Sequence, residues 1–342
     1  MEISQEFAEN SITSIVLPTT LQPDTLVAIF LLKKFGGQRY PGISAARVMI
    51  RQIVEEGENA QSLETKGCLL IDMGGGRYDH HTKPKGATAS FLVANDLGVA
   101  EKPALAKLLE YARRDDLFGR GTISEDQIDR AFGLSALIYN LNKSCVDRPE
   151  RVVEIIMPVL AGHYNEEVRR TEELPKEFLE AQRTNRVRVI SDIRHREKKL
   201  NVICIESDNG GMMGYLRSMA GGKFDVVIQK ITTGHVNILT RPAKRLDLRS
   251  LACLIRIREA EMSDKRLEED LSSLCRPARH PGVKEWYYDR ATNSLQNGGL
   301  HPKEIPATKI PWNEFPKIVD VGLAEKLFDP FTARIQSRGF HE

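Results

Sequence analysis

The chain has 342 residues, which at about 150 residues per domain predicts roughly two domains. Lys and Arg number 49 against 47 Asp and Glu, a net charge of +2, with 41% hydrophobic and 28% charged residues. That balance excludes a histone-like basic protein and an acidic disordered tail, yet a local basic patch can hide in a neutral total. No apolar stretch approaches the roughly 18 residues of a membrane span, and none is expected. Residues 1–10 carry Glu2, Glu6 and Glu9 and no basic segment before an apolar one, so no signal peptide is expected. The cysteines are Cys68, Cys145, Cys204, Cys253 and Cys275, an odd set without CxxC spacing. They predict neither structural zinc nor a disulfide framework, and suit a reduced, cytoplasmic protein.

In chain order, residues 14–17 read as a short strand and 24–35 as a helix stopped by Gly36 and Gly37. Residues 47–56 show a mixed amphipathic pattern. Residues 68–71 are a buried strand running into Asp72 and three glycines. Residues 88–97 and 104–113 read as helices. This alternation predicts an α/β domain, with a mostly parallel sheet flanked by helices, over 1–185. Residues 149–182 form one or two helices, with Pro175 breaking or starting a segment. Residues 186–200 are expected to be a basic linker. A smaller α+β domain across a cleft is expected over 201–342. Its strands fall at 201–206, 224–229 and 236–240, its helix at 248–260. The last 60 or so residues are turn-rich. Residues 1–182 hold 21 basic and 27 acidic groups, while 183–260 have a net charge of +9. The basic excess lies where a phosphate ligand would be held.

Residues 70–81, LIDMGGGRYDHH, carry the chemistry. Asp72 ends an apolar strand, where α/β folds place ligands, and Asp79, His80 and His81 follow seven residues later. Carboxylates and imidazoles converging at strand ends suit Mn²⁺ or Mg²⁺. Two such ions roughly 4 Å apart can hold a phosphoester and activate water. The glycines allow a sharp turn.

These residues resemble the DHH phosphoesterase superfamily, named for its Asp-His-His motif, over roughly residues 12–185. Asp72, the glycines after it and the Tyr78-Asp79-His80-His81 ending look most like the melanocyte-proliferating-gene-type exonuclease branch. The resemblance implies a RecJ-like hydrolase that cleaves a phosphodiester or phosphoanhydride bond in a nucleic acid, oligonucleotide or nucleotide. It implies catalytic roles for Asp79, His80 and His81. It implies one or two Mn²⁺ or Mg²⁺ ions on Asp24, Asp72, Asp79, His80, His81 and, on a later helix, Asp115 first or Asp116 second. The family's first motif also has a histidine, where this chain has Thr20 or Gln22. One metal is then expected to be weakly held or missing. The alternative is a protein of the same fold that binds a nucleotide or nucleic acid without hydrolysis.

For the second domain, Gly234 and His235, with Arg241, Lys244 and Arg245 behind them, are the candidate substrate-phosphate contacts. The glycine-rich 209–214 run reads as a phosphate loop or a plain turn. Trp286, Tyr287 and Tyr288 read as strand packing or as a base-stacking surface. The expected partner is a phosphate-containing substrate, with no membrane, and a homodimer is compatible with these features.

Overall fold

The computed structural model describes residues 11–51, 58–81, 83, 86–119, 124–195, 198–267, 271–299, 302 and 304–324. The chain is mixed α/β and divides into two compact units of equal length, Met1–Thr171 and Glu172–Glu342.

The first unit contains β1 (Ser14–Leu17), α1 (Pro23–Phe35), β2 (Arg47–Ile50), α2 (Ala60–Thr65) and β3 (Cys68–Leu70). Then follow α3 (Ala89–Asp96), α4 (Ala106–Phe118), α5 (Gln127–Phe132), α6 (Leu134–Ser144) and α7 (Glu150–Val168). The strands are short apolar runs and pair in parallel in the order β2-β1-β3, with Ser14 opposite both Arg47 and Cys68. The mixed pattern at 47–56 begins as strand β2, and 52–57 lie outside the described residues. Helix α1 is apolar all round and buried from Pro23 to Leu32, as a helix must be when it is covered on every side. Pro23 fits its first turn, where no intrahelical N–H partner is needed, and Lys33 and Lys34 sit at its negative end. Leu26, Ile29, Leu31 and Leu32 are wholly buried, each contributing about 2 kcal/mol of transfer free energy.

The second unit contains α8 (Leu174–Arg183), β4 (Val187–Ile190), the two-residue strands β5 (Arg194–His195) and β6 (Lys198–Lys199), β7 (Val202–Glu206) and α9 (Met212–Arg217). It continues with β8 (Val226–Lys230), β9 (Val236–Thr240), α10 (Arg249–Met262) and α11 (Leu271–Leu274). It ends with β10 (Ala278–His280), β11 (Val283–Asp289), β12 (Ser294–Gln296) and α12 (Phe315–Leu323). Seven strands form one sheet in the order β10-β11-β12-β9-β8-β7-β4. Its pairs are antiparallel except β7 with β8. Strand alternation builds two cores. Val202, Cys204, Val226 and Ile228 face one with Trp286 and Phe315, while Ile203, Ile205 and Val227 face the other with Met212 and Leu216.

The structure corrects the expected linker at 186–200. Val187–Ile190 is the edge strand of the second sheet, antiparallel to β7, with Arg188 opposite Cys204. Its Arg188 suits an edge, where charge discourages pairing with other chains. The break between units falls earlier, at Thr171/Glu172, inside a π-helical turn at Arg169–Glu173. The second unit is not the smaller one. Pro175 starts α8 rather than interrupting a helix, and Pro158 lies inside α7. Trp286–Tyr288 lies in β11, with Trp286 fully buried against Phe315, as strand packing requires.

Candidate metal centre

The site lies in the first unit, on the loop after β3 and the first turns around it. The loop is closed on itself. Ile71 bridges to Tyr78, and the Asp72 N–H donates to the Tyr78 carbonyl at 3.1 Å. Closing so short a ring puts Asp72 itself in the left-handed region, with φ 58°, followed by Gly74 (71°) and Gly75 (68°). Glycine takes that conformation freely, whereas an aspartate there stores about 1 kcal/mol or more of strain, the sort found where a side chain must be aimed.

Asp72 is aimed at His80. Its Oδ1 lies 2.9 Å from His80 Nε2 and 3.7 Å from His81 Nδ1. Its Oδ2 accepts a long bond from Thr25 Oγ1 at 3.3 Å. His80 Nδ1 lies 3.0 Å from the Ala87 carbonyl. A carbonyl can only accept, so the neutral ring carries its proton on Nδ1 and turns a lone pair on Nε2 toward Asp72. Asp72 Oδ1 is buried and has no hydrogen-bond partner. Two lone pairs face each other, and only a cation or a proton can reconcile them.

A second group overlaps the first. One ligand atom each from Asp72, His80 and His81 lies within 4.8 Å of the others, and so do atoms of Asp24, His80 and Asp116. Asp116 Oδ2 stands 3.7 Å from His80 Nδ1. Burial pushes the Asp72 carboxyl up to about 6, Asp24 and Asp116 adding repulsion that His80 and His81 oppose. Burial also raises Asp116, with Asp24 again adding to it. The carboxylates and imidazoles form the oxygen and nitrogen donor set of a hard divalent ion. The orphaned Asp72 Oδ1 is the atom that such an ion would satisfy.

The expected residues therefore separate into roles. Asp79 belongs to neither group. Its Oδ2 accepts the Gly75 N–H at 2.7 Å, and its Oδ1 accepts the His81 N–H at 3.0 Å and the His81 ring at 2.8 Å. Burial alone would raise Asp79, but these donors outweigh it and hold it below the usual carboxylate range. Asp79 fixes the His81 tautomer, with the proton on Nδ1, and raises that ring's pKa. Asp115 is turned away, and its Oδ1 accepts from Ser135 Oγ in the core. Asp116 is the acid of α4 that reaches the site.

Asp24 has a double role. It sits in the first turn of α1, 1% exposed, and caps α3. Its Oδ2 accepts the Ala89 N–H at 2.7 Å, and its Oδ1 accepts the Ser90 N–H at 3.0 Å and the Ser90 hydroxyl. Thr88 Oγ1 takes the next N–H, that of Phe91, at 3.3 Å. The first-turn donors of α3 are thus satisfied. Oδ1 is filled by two donors, while Oδ2 keeps one lone pair for an ion.

Sequence reasoning missed a polar layer behind the loop. The Tyr40 and Tyr78 hydroxyls lie 2.6 Å apart, and both donate to Asp96 Oδ2, at 2.6 and 2.5 Å. Arg77 reaches Tyr40 at 3.2 Å and Glu64 at 2.9 and 3.1 Å. Arg39 pairs with Asp96 at 2.8 Å. Burial raises both tyrosines, which stay protonated donors. No local sequence signal links residues 40, 78 and 96. Thr88 before an apolar run was a readable N-cap signal, and Thr25 beside Asp24 carried none.

The residues expected to bind substrate are engaged within the second unit. His235 is buried, with Nδ1 2.8 Å from Thr233 Oγ1 and Nε2 2.8 Å from the Ile305 carbonyl. Arg241 and Lys244 pair with buried Asp225 at 2.8 and 3.3 Å. Arg245 is the left-handed residue (φ 44°) closing the turn after them, and Gly234 (φ 87°) turns the chain into β9. Of the 209–214 run, Asn209–Gly211 is a turn in which Asn209 accepts the Gly211 N–H, and Met212–Gly214 open α9.

No protein-family model and no curated protein matches the chain. Among solved structures it is similar to a DHH domain described as belonging to a family of ribosomal proteins. The two share 12% identity over 92% of this chain and 86% of that chain, with a TM-score of 0.26. A likeness that low bears on neither activity nor substrate. Among the described residues, no helix is long and apolar enough to cross a membrane.

Proposed function

We propose that the first unit is a DHH-type phosphoesterase domain that uses Mn²⁺ or Mg²⁺ to hydrolyse a phosphodiester or phosphoanhydride bond. The observation that carries this reading is the buried, unbonded Asp72 Oδ1 facing the His80 Nε2 lone pair at 2.9 Å. Asp72, His80, His81 and Asp116 are the proposed ligands, with Asp24 joining through Oδ2. Bound there, a divalent ion supplies Lewis-acid activation of water and of the phosphoryl oxygens. The chain's own contribution is orientation. Asp79 holds the His81 ring, the Ala87 carbonyl holds the His80 ring, and the Tyr40–Tyr78–Asp96 layer holds the loop. The substrate class is a nucleotide, oligonucleotide or nucleic acid, and the melanocyte-proliferating-gene-type placement rests on the sequence of Asp72, the glycines and residues 78–81 alone.

A second reading is ligand binding without hydrolysis. It is favoured by Asp24, whose Oδ1 is filled and whose Oδ2 is half-filled by α3, and by the absence of an imidazole between Leu17 and Asp24. Both readings require the ion. The test is Mn²⁺ counting per chain together with turnover of short oligonucleotides, dinucleotides and pyrophosphate. Turnover that stops with chelator and in Asp72→Asn supports hydrolysis. Ion binding with no turnover of any of these supports the second reading. Asp72→Asn binding Mn²⁺ as wild type does would sink both.

A further inference from the structure

A second reactive cluster lies in the other unit, and nothing in the proposed chemistry uses it. Cys253 and Arg256 stand one turn apart on α10, so they share a face. Arg256 is 1% exposed. Its Nη1 donates to the carbonyls of Leu274 at 2.7 Å and Arg276 at 2.9 Å, and its Nη2 to that of Ala278. Its Nε has no partner, and among the described residues no carboxylate pairs with it. A buried guanidinium held only by carbonyl dipoles keeps a full positive charge that seeks an anion.

Cys275 lies between two of the residues whose carbonyls Arg256 grips. Its side chain packs with Cys253 and Leu274 in a small apolar cluster apart from the main cores. Cys253 also leans on the Leu271 carbonyl at 3.8 Å. The neighbouring Cys253 thiol first, then the Arg249 and Arg256 cations, draw the Cys275 thiol below its usual range against burial and Asp247. The Cys253 thiol is pushed up, first by its neighbour Cys275 and then by burial. One thiol is thus primed as a nucleophile, while the other stays protonated beside it.

We propose that Cys253 and Cys275 are a dithiol oxidation site that a small hydroperoxide converts to an intrachain disulfide. The Cys275 thiolate attacks the peroxide oxygen, the O–O bond breaks, and one water leaves after protonation. Cys253 sulfur then attacks the resulting sulfenic sulfur; the S–O bond breaks as the S–S bond forms, and the departing hydroxide takes the Cys253 proton to leave as a second water. Two thiols are oxidised by two electrons and the peroxide is reduced. The thiols are 1% and 4% exposed, so the oxidant must be small, hydrogen peroxide rather than a bulky disulfide.

The test treats the folded full-length chain with hydrogen peroxide, blocks remaining thiols, and maps peptides without reduction. The expected result is a Cys253–Cys275 cross-link that forms before Cys68 or Cys145 is modified, although those two are less buried. In Cys253→Ser, a sulfenic acid on Cys275 should become trappable by a carbon nucleophile, which the wild type does not allow. Oxidation of Cys68 and Cys145 while both buried thiols stay free overturns the proposal. So does a cross-link that appears only in denaturant.

Discussion

The sharpest claim about the site concerns Asp24, which is assigned both to the cap of α3 and to the edge of the ion site. Asp24→Asn separates the two. The amide keeps one acceptor oxygen and turns an NH₂ toward the other donor, so either the Ala89 or the Ser90 N–H loses its partner. A buried backbone donor left unpaired costs about 1–3 kcal/mol. Removing the negative charge at the α3 N-terminus adds about 0.5–1 kcal/mol. The sum is about 2–4 kcal/mol, with no ion involved. Urea unfolding in chelator measures it. Both tryptophans, Trp286 and Trp312, lie in the second unit, so fluorescence follows that unit while far-UV circular dichroism follows both. At a slope of about 2 kcal/mol per molar urea, the substitution should move the dichroism midpoint by about 1–2 M and leave the fluorescence midpoint in place. An unmoved dichroism midpoint in chelator, with a collapse of Mn²⁺ affinity, would refute the reasoning and leave Asp24 a ligand alone.

Other predictions follow from the same geometry. Asp116→Asn should weaken Mn²⁺ binding by about tenfold or more, as seen by calorimetric titration. Asp115→Asn should leave affinity alone and cost about 1 kcal/mol through Ser135; the reverse pattern would show that the two acids of α4 are wrongly assigned. Tyr40→Phe removes the hydroxyl shared by Tyr78, Asp96 and Arg77, and should cost about 1–2 kcal/mol with a smaller loss of Mn²⁺ affinity than Asp116→Asn. Equal Mn²⁺ losses in the two variants would mean that this layer does more than hold the loop. Burial alone would raise Asp247, but Arg249, through its side chain at 2.5–3.0 Å and its N–H at 3.0 Å, holds it below the usual range. That stabilisation is present above about pH 4 and is lost as pH falls through the lowered value, about 1 kcal/mol for a pair a third exposed. Asp247→Asn should flatten that part of the acid-stability profile, and an unchanged profile would remove Asp247 as its source.

The apolar strand ending in Asp72, and the Asp-His-His that follows, were legible because strand, turn and ligand signals coincide within residues 68–81. The choice between Asp115 and Asp116 was also encoded, though less visibly. Neighbours on a helix point about 100° apart. Leu108, Ala112 and Asp115 are spaced four and three apart and are all buried, so Asp115 continues the core stripe of α4 and Asp116 stands at its rim. The position of an acid in the apolar period therefore outweighed its closeness to the expected motif. The partners of the second unit's candidates were not legible for another physical reason. Arg241, Lys244 and His235 look like substrate groups in a string, because a string does not show that Asp225 and the Ile305 carbonyl are waiting for them. Their partners lie 16 to 70 residues away and are met only through the pairing of β8 with β9 and the return of the chain at 305. The basic 186–200 segment failed for a related reason, since most of its cations lie outside the short strand Val187–Ile190, whose pairing with β7 a string does not show. Local chemistry was thus readable where its partners are local, and the dithiol beside Arg256 was not. Cys253 and Cys275 are 22 residues apart, and only the carbonyls of Leu274 and Arg276, folded around one guanidinium, bring the second thiol to the first.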